Sequence, residues 1–231
     1  MAVPAVRTDP DIIEYPESDG RPMADNTLQF RWIVTIQGGL DDLFREDESV
    51  FVAGDLLWYP VEGNPSLSTA PDVLVAVGRP KGDRRSYLQW REGNIAPQVV
   101  FEILSASNTA REMNQKFVFY DRYGVEEYYL YDPEANDLTG WVRSDGHLLL
   151  IDPVHGWVSP RLGTRFDTAG SELVIYRPDG RPFLTYLGQA ARSERAEQER
   201  ALAEQERDEE RRRAERLAAR LREAGIDPDA V

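Results

Sequence analysis

Two short apolar runs, Asp72 to Val77 and Gln98 to Leu104, constrain the fold of this chain more than any other feature. Both are rich in β-branched residues and lie between turn-forming residues, which is typical of buried central strands. A third β-rich segment runs from Ser49 to Tyr59 and is interrupted at Gly54. The chain is therefore expected to build a sheet whose central strands are buried.

Helical patterns flank these strands. Apolar residues recur at spacings of three and four before the first strand, which predicts an amphipathic helix from about Asp25 to Arg45. A second helix is predicted between caps at Ser105 to Thr109 and a stop at Gly124. Glu127 to Tyr131 has the pattern of a further strand, so the order of elements predicts an α/β (α+β) fold with a mixed sheet flanked by helices.

The remainder of the chain divides into two parts. From Leu138 to Leu187, short strands alternate with Asp–Gly and Gly turns, which predicts a β-hairpin extension. Residues 189–231 contain 10 Arg, 12 acidic residues and no aromatic residue, which predicts a long charged helix. We therefore expect a domain at residues 1–188, with its β-rich extension at about 138–188, and a helical tail at 189–231.

The tail leaves two interpretations open. Leu217 and Leu221 belong to an apolar stripe near its end, before Gly225 and Pro228 stop the helix. Such a stripe favours a coiled-coil arm that forms a homo-oligomer, with a dimer as the preferred state. A solvated single helix held by Glu–Arg pairs is the alternative.

Composition excludes several classes of protein. The 231 residues include no Cys, so a disulfide framework, a thiolate zinc site and a cysteine nucleophile are all excluded. No stretch has the apolar length of a membrane span, and the first residues lack the pattern of a secretory signal, so a cytoplasmic protein without membrane association is expected. The net charge of −14 argues against a long-lived nonspecific hold on nucleic acid, but it leaves room for a local basic groove.

Two acids, Asp72 and Glu102, interrupt the apolar runs. A buried carboxylate is costly unless it is paired, so both acids need partners. If the two strands are adjacent, mutual repulsion would favour a bound cation or a shared proton. Lys116, one of only two lysines in the chain, lies on the same predicted helix face as Met113 and Tyr120, which points it toward the sheet.

These residues allow two interpretations. Two carboxylates with a lysine and a divalent metal can hydrolyse a phosphodiester, because the metal polarises the phosphate while the lysine positions water or offsets developing charge. The same three residues can also form a purely structural ion-pair network. Spacing by itself does not decide between them.

Several stretches resemble the Uma family of predicted endonucleases, and the resemblance covers most of the chain. That family is assigned to the PD-(D/E)xK phosphodiesterase superfamily, with a restriction-endonuclease-like fold. A charged helical tail is also common in it. The resemblance is carried by Tyr15 to Gly20, Pro71-Asp72-Val73, Glu102-Ile103-Leu104-Ser105, Lys116, Tyr120 and Gly124 to Pro133.

By position, the resemblance implies that Asp72 and Glu102 bind Mg²⁺ or Mn²⁺ and that Lys116 is the catalytic lysine. It also implies a nucleic-acid partner, with DNA favoured over RNA. One departure from the superfamily is Leu104, which stands where the signature has its lysine, so the resemblance implies that the lysine has migrated to the helix.

A second departure concerns the remaining metal ligand. Many members of the superfamily have a Glu on the first helix, whereas the inward candidates here are Gln29 or Asp25, or Asp55 from the neighbouring strand. Gln29 can be only a neutral ligand. Asp55 follows Gly54, so a turn or bulge acid is an equally good interpretation of it.

A basic segment follows the first acid-bearing strand. It continues through Arg84 and Arg85 to Arg91, and aromatic residues lie among these arginines. As a loop between the two acid-bearing strands, it is predicted to contact phosphates and stack on bases, although a solvated loop is an equal alternative.

Two functions therefore stand at the level of the sequence. The first is a metal-dependent endonuclease that uses Asp72, Glu102 and Lys116. The second is a catalytically weak or inactive nuclease-fold scaffold that acts through its helical tail. The long tail, the net charge and the neutral Gln29 favour the second.

Overall fold

A computed structural model of the chain describes residues 13–18, 20 and 22–223. The chain divides into two compact units, residues 1–185 and 186–231. The helices are α1 (Thr27–Leu43), α2 (Ala110–Tyr123) and α3 (Tyr186–Glu223), and a short 3₁₀ turn spans Gln89–Arg91. The strands are β1 (Val50–Gly54), β2 (Trp58–Tyr59), β3 (Val73–Val77), β4 (Tyr87–Leu88), β5 (Val99–Ile103), β6 (Glu127–Asp132), β7 (Asp137–Ser144), β8 (His147–Leu150), β9 (Arg165–Asp167) and β10 (Val174–Tyr176).

Six strands form one mixed sheet in the spatial order β1-β3-β5-β6-β7-β8. Neighbouring strands are antiparallel, except that β5 and β6 are parallel and are connected through α2. Two small ladders, β2 with β4 and β9 with β10, accompany this sheet. The predicted mixed sheet with helices is therefore confirmed.

The central strands bury both faces, as their apolar runs predict. In β3, Val73 and Val75 pack in the core that contains α1, while Leu74 and Ala76 pack in the core that contains Tyr120 of α2. Because successive side chains point to opposite faces of a strand, Asp72 and Glu102 lie on the α2 face of the sheet. By the same alternation, Glu127 lies on the α1 face.

Helix α1 follows its predicted pattern closely. Asn26 caps it by accepting a hydrogen bond from Gln29 N–H, as an N-cap residue should. A Cβ at Gly39 would lie 2.3 Å from the Phe183 ring, so only glycine permits this close approach. At the other end, Lys81 Nζ donates to the carbonyl oxygens of Phe44 and Arg45, at 2.7 and 2.9 Å.

Helix α2 begins at Thr109, which forms a capping box with Glu112, and it ends at Gly124. Gly124 has a φ of 93°, the left-handed conformation that favours glycine at this position. The stop at Gly124 is therefore confirmed. The helix begins at the end of the predicted cap segment. Residues 105–108 form a turn before it, in which the Asn108 side-chain oxygen accepts the Ser105 N–H at 2.8 Å.

The segment after Leu138 begins with a β-hairpin that is part of the central sheet. Strand β7 pairs with β6 and β8 pairs with β7, both antiparallel, so the two strands extend the central sheet. Asp145 and Gly146 form the β7–β8 turn with φ values of 52° and 88°, as an Asp–Gly hairpin requires. Asp121 of α2 accepts the outward Leu148 N–H at 2.7 Å and thereby occupies part of the β8 edge.

Helix α3 is a charged helix 38 residues long. Its described side chains are mostly exposed, and Arg211 pairs with Asp208 one turn away, at 2.9 Å. The predicted stop at Gly225 and Pro228 lies outside the described residues, as do the side chains of Leu217 and Leu221. None of the helices described has the length and apolarity needed to cross a lipid bilayer.

Candidate active site

The structure brings Asp72, Glu102 and Lys116 together at one end of the central strands. Strands β3 and β5 are antiparallel, with Val73 opposite Phe101, and this register places Asp72 opposite Glu102. Both acids are buried, with exposed fractions of 9% and 2%. Lys116 reaches them from the second turn of α2.

Both carboxylate oxygens of Glu102 are hydrogen-bonded by residues of α2. Lys116 Nζ lies 2.6 Å from Glu102 Oε2, and the Tyr120 hydroxyl donates to Glu102 Oε1. Lys116 and Tyr120 are four residues apart, so they occupy the same face of the helix. One turn of α2 thus holds the whole carboxylate.

Asp72 is bound less completely. Its Oδ2 accepts the Ile103 N–H at 2.6 Å. Burial and the charge of Glu102 raise the pKa of Asp72 to about 8, although Lys116 and the Ile103 N–H act in the opposite direction. Without a further cation, Asp72 therefore holds a proton at neutral pH.

Lys116 is a cation in this environment. Burial lowers the pKa of Lys116, but the charges of Glu102 and Asp72 outweigh burial and raise it above its usual value. Lys116 Nζ also donates to the Ala70 carbonyl at 3.3 Å. Because it keeps its proton, Lys116 can offset negative charge or orient a water molecule, and it is unsuited to act as a base.

Gln29 lies at the N-terminus of α1 and contacts the strand that carries Glu102. Its amide nitrogen donates to the Ile103 carbonyl at 2.9 Å, and its amide oxygen accepts Asp25 N–H at 2.8 Å. The Asp25 carboxylate in turn accepts hydrogen bonds from the Ser105 and Ser107 hydroxyls. Gln29 and Asp25 therefore tie the end of β5 and the loop after it to α1.

Asp55 lies opposite Asp72 where the chain leaves β1. Its N–H donates to the Asp72 carbonyl at 3.2 Å, and its φ of 47° bends the chain between β1 and β2. The charge of Asp55 contributes to the raised pKa values of Asp72 and Lys116, so it acts on the same site.

The donor set suits a hard divalent cation. Asp72 and Glu102 supply carboxylate oxygens, which Mg²⁺ and Mn²⁺ prefer. Three acids, Asp72, Glu102 and Asp55, act here with the cation Lys116, and burial together with the charges of Glu102 and Asp55 raises the pKa of Asp72. Within the described ranges, no group of three or more Asp, Glu or His side chains is arranged to hold a metal, so a bound ion would need other oxygen ligands.

Comparison with known proteins identifies the family. A family model named Uma2 and described as "Putative restriction endonuclease" matches residues 13–164. The chain belongs to the Uma2 family. A solved structure from Anabaena variabilis, described as a "putative nuclease belonging to DUF820", is 15% identical, with coverage of 58% of this chain and 72% of that chain and a TM-score of 0.45. No protein with curated annotation gives a significant match.

Membership of the Uma2 family confirms the resemblance noted in the sequence, and the restriction-endonuclease-like fold is confirmed with it. The matched residues include Asp72, Glu102, Lys116 and Tyr120. A nuclease is therefore the function that the family description suggests.

The three arginines proposed for nucleic acid do not contact Asp72, Glu102 or Lys116. Arg84 bonds both oxygens of Glu92, and its guanidinium lies 3.8 Å from the Phe51 ring centroid. Phe51 lies at the end of β1 away from Asp55. Lys81, which belongs to the same basic loop as Arg84, contacts the chain just after the C-terminus of α1. At 1.5 Å per residue, the two ends of α1 are about 25 Å apart. The basic loop thus begins at the end of the sheet opposite the acids.

Arg85 and Arg91 have more open surroundings. Both are exposed, and Arg85 pairs with Glu17 at 2.9 Å. They line a surface groove of about 420 Å³ together with Tyr15 and Leu88, and Arg84 and Glu92 also form part of its wall. Arg85 and Arg91 can therefore be reached by a ligand, whereas the Arg84 side chain is only 12% exposed and is paired with Glu92.

Two features of this Uma2 chain escaped the sequence analysis. In the sequence, Tyr120 indicated only an apolar helix face, whereas in the structure its hydroxyl donates to Glu102. The four-residue spacing between Lys116 and Tyr120 could have indicated that both reach the same acid. Glu127 is a third acid at the start of an apolar strand, with an exposed fraction of 1%. Its carboxylate accepts hydrogen bonds from the Tyr129 hydroxyl, the Ser159 hydroxyl and Arg161 N–H.

Proposed function

We propose that this Uma2 protein is a metal-dependent endonuclease that hydrolyses phosphodiester bonds of nucleic acid, with DNA as the preferred substrate. One observation supports this most directly: Asp72 and Glu102, two buried acids on adjacent strands, meet Lys116 from α2. We place the activity in the cytoplasm, as the sequence suggests.

Asp72 and Glu102 would hold Mg²⁺ or Mn²⁺, with the remaining ligands supplied by water, the substrate or a backbone carbonyl. Such an ion polarises the scissile phosphate and favours attack by water. Gln29 is better suited to hold the Ile103 carbonyl in place than to bind the ion, because both ends of its amide already have partners. Asp55 remains the candidate for a further acidic ligand.

Lys116 would act on the substrate as a charged donor. Two of its protons are directed to Glu102 and to the Ala70 carbonyl, which leaves one for a phosphate oxygen or a water molecule. A preorganised donor of this kind stabilises charge that develops in the transition state. Arg85 and Arg91 would contact the phosphate backbone away from the reacting bond, while Arg84 supports the loop that carries them.

The test is cleavage of DNA and RNA by wild type and by Asp72→Asn in the presence of MgCl₂ or MnCl₂. Asn keeps the size of Asp and can still accept the Ile103 N–H, so the fold should be retained. We expect metal-dependent cleavage by wild type and a loss of at least about 100-fold in the variant. A wild type that cleaves neither substrate with either metal would contradict the proposal.

The second candidate function is an inactive nuclease-fold scaffold. It is favoured by the ion pair of Lys116 with Glu102, which neutralises one acid without a metal, and by the lack of a three-acid cluster in the described part of the chain. Calorimetric titration with MnCl₂ separates the two functions. If the protein is a scaffold, wild type and Glu102→Gln should show the same titration curve, with no Mn²⁺ site that depends on Glu102.

We further propose that α3 mediates self-association, with a dimer as the preferred state. Charged residues dominate this helix, and residues 186–231 form a compact unit by themselves. Removal of residues 189–231 should therefore leave the rest folded and convert a dimer into a monomer, as measured by light scattering. The same number of subunits in the full-length and truncated proteins would contradict self-association through the tail.

A further inference from the structure

Tyr120 is the one neutral side chain that bonds a carboxylate oxygen of Glu102 in the described structure, and it is itself completely buried. We propose that Tyr120 is a positioning residue: its hydroxyl fixes the orientation in which the Glu102 carboxylate binds a divalent cation. The inference rests on the proposed function, because it presupposes that Glu102 is a metal ligand.

The first step concerns the way Glu102 is held. A glutamate side chain has three rotatable bonds, and a single donor leaves its carboxylate free to turn about that contact. Lys116 holds Oε2 at 2.6 Å and Tyr120 holds Oε1, so two donors on one helix face fix the plane of the carboxylate. The lone pairs that remain are the ones available to a cation.

The second step compares the rigidity of the two donors. The Lys116 side chain is 26% exposed and has four rotatable bonds, so it can change partners when substrate binds. The Tyr120 ring packs edge-on against Tyr128 at 5.1 Å between centroids, and also against Trp58 and Phe119. The core therefore fixes the position of the Tyr120 hydroxyl, and Tyr120 is the donor that can define the orientation of Glu102.

The third step concerns the direction of the hydrogen bond. A carboxylate oxygen accepts hydrogen bonds, so the Tyr120 hydroxyl is the donor in its contact with Glu102 Oε1. Partners of this kind orient the ligands of metal sites, and their removal typically weakens metal affinity by about 10- to 100-fold.

The chain offers three matched Tyr→Phe variants on neighbouring elements. Tyr120→Phe removes the hydrogen bond to Glu102. Tyr129→Phe removes a buried bond of the same kind, the 2.7 Å contact with Glu127, on the other face of the sheet. Tyr128→Phe removes a buried hydroxyl that has no hydrogen-bond partner among the described residues. Folding of each is checked by urea denaturation.

The main measurement is the Kd of MnCl₂ for the full-length protein by calorimetry, which needs no nuclease activity. We expect Tyr120→Phe to weaken binding about 10- to 100-fold, whereas Tyr128→Phe and Tyr129→Phe bind like wild type. In cleavage assays, Tyr120→Phe should need more Mn²⁺, with the KM for nucleic acid unchanged.

The outcomes separate this inference from the proposed function. If wild type binds no Mn²⁺, the metal site fails and the inference fails with it. If wild type binds Mn²⁺ and Tyr120→Phe binds equally well, only the inference is overturned. Loss of affinity in Tyr129→Phe to the same degree would show that general destabilisation is the cause, which also overturns it.

A second measurement covers the case in which Tyr120→Phe does not fold. 3-Fluorotyrosine at position 120 keeps the hydroxyl and the packing, and the same label at position 129 serves as the control. On titration with MgCl₂, the fluorine resonance at position 120 should shift with the midpoint of a calorimetric titration with the same ion, while that at position 129 stays constant. An unchanged resonance at position 120 would overturn the inference.

Discussion

Glu102 and Glu127 are two buried glutamates on adjacent parallel strands, yet their surroundings are opposite in kind. Glu102 lies on the α2 face beside another acid, Asp72, and the cation Lys116. Glu127 lies on the α1 face, and the hydrogen bonds that the structure describes for it come from two hydroxyls and a backbone N–H. Burial is nearly equal, with exposed fractions of 2% and 1%.

The comparison shows that burial of an acid does not by itself mark a functional site. Three neutral donors satisfy Glu127, and they join the loop containing Ser159 and Arg161 to the sheet, which is a structural task. Around Glu102 the charges do not balance, and Asp72 responds with a pKa raised to about 8 by burial and by the charge of Glu102. The unbalanced charge, more than the depth, distinguishes the candidate site.

The largest effect that would test this contrast is expected from the two lysines. Lys116→Met removes the cation of the unbalanced cluster and should lower cleavage by about 100-fold or more, because a preorganised donor to the transition state is lost. Lys81→Met removes a lysine whose ammonium group donates to the carbonyl oxygens of Phe44 and Arg45, just after α1, and it should leave the rate per folded molecule unchanged. Equal losses in both variants would contradict the assignment.

The two glutamates themselves provide the next test. Glu127→Gln should lower the free energy of unfolding by about 1–3 kcal/mol, since Gln replaces one carboxylate oxygen by a donor NH₂ and cannot accept all three hydrogen bonds. The same variant should bind Mn²⁺ like wild type. Glu102→Gln should abolish Mn²⁺ binding. Urea denaturation and calorimetry measure the two properties separately, and a loss of Mn²⁺ binding in Glu127→Gln would remove the distinction.

The pH dependence of stability tests the charge imbalance in the metal-free protein. The folded pKa of Asp72, about 8, exceeds the unfolded value, so its stabilising contribution is complete below about pH 4 and is lost as the pH rises through 8. Asn does not titrate. The stability of Asp72→Asn relative to wild type should therefore increase by at least about 1 kcal/mol between pH 5 and pH 8.

A control of opposite sign is available at Asp179. Its hydrogen bonds with Arg181 lower the pKa of this carboxyl to about 2. A carboxyl whose pKa is lowered by folding stabilises the fold at pH values above its unfolded pKa, and this contribution is lost as the pH falls through the folded pKa. Asp179→Asn should thus lose stability relative to wild type at neutral pH and approach it in acid. Parallel curves for Asp72→Asn and wild type would show that the pKa of Asp72 is not raised in the folded protein.

The smallest expected effect concerns the arginines, where the same contrast holds for cations. Arg84 is satisfied by Glu92 and packed on Phe51, whereas Arg85 is 83% exposed. Arg85→Gln should weaken binding of a DNA duplex a few-fold and reduce the salt dependence by about one unit of slope. Arg84→Gln should chiefly lower stability. Filter binding at several NaCl concentrations measures the difference, and no change of slope in Arg85→Gln would contradict it.

Most of the fold could be predicted from the sequence because local patterns and burial agree along it. The spacing of Trp32 and Ile36, the stop at Gly124 and the two apolar runs all correspond to the observed elements. The convergence of Asp72 with Glu102 could also be anticipated, since acids in adjacent buried strands must be paired.

Other features could not be predicted, because they depend on tertiary contacts. The bend at Asp55 carries β2 away from the sheet, and the basic loop leaves β3 at the end opposite Asp72. A position between two acid-bearing strands in sequence therefore did not mean a position beside the acids in space. The role of Tyr120 as a donor was hidden for the same reason, since an aromatic residue on an inward helix face ordinarily indicates packing.

The placement of Asp121 next to Tyr120 has a mechanical consequence. Tyr120 bonds Glu102 in the middle of the sheet, and Asp121, the following residue, accepts the Leu148 N–H at its β8 edge. One helical turn is thus anchored at two points. A strand that added to β8 and competed for Leu148 would pull on the same turn that orients Glu102, so the edge of the sheet and its centre are coupled through two consecutive residues.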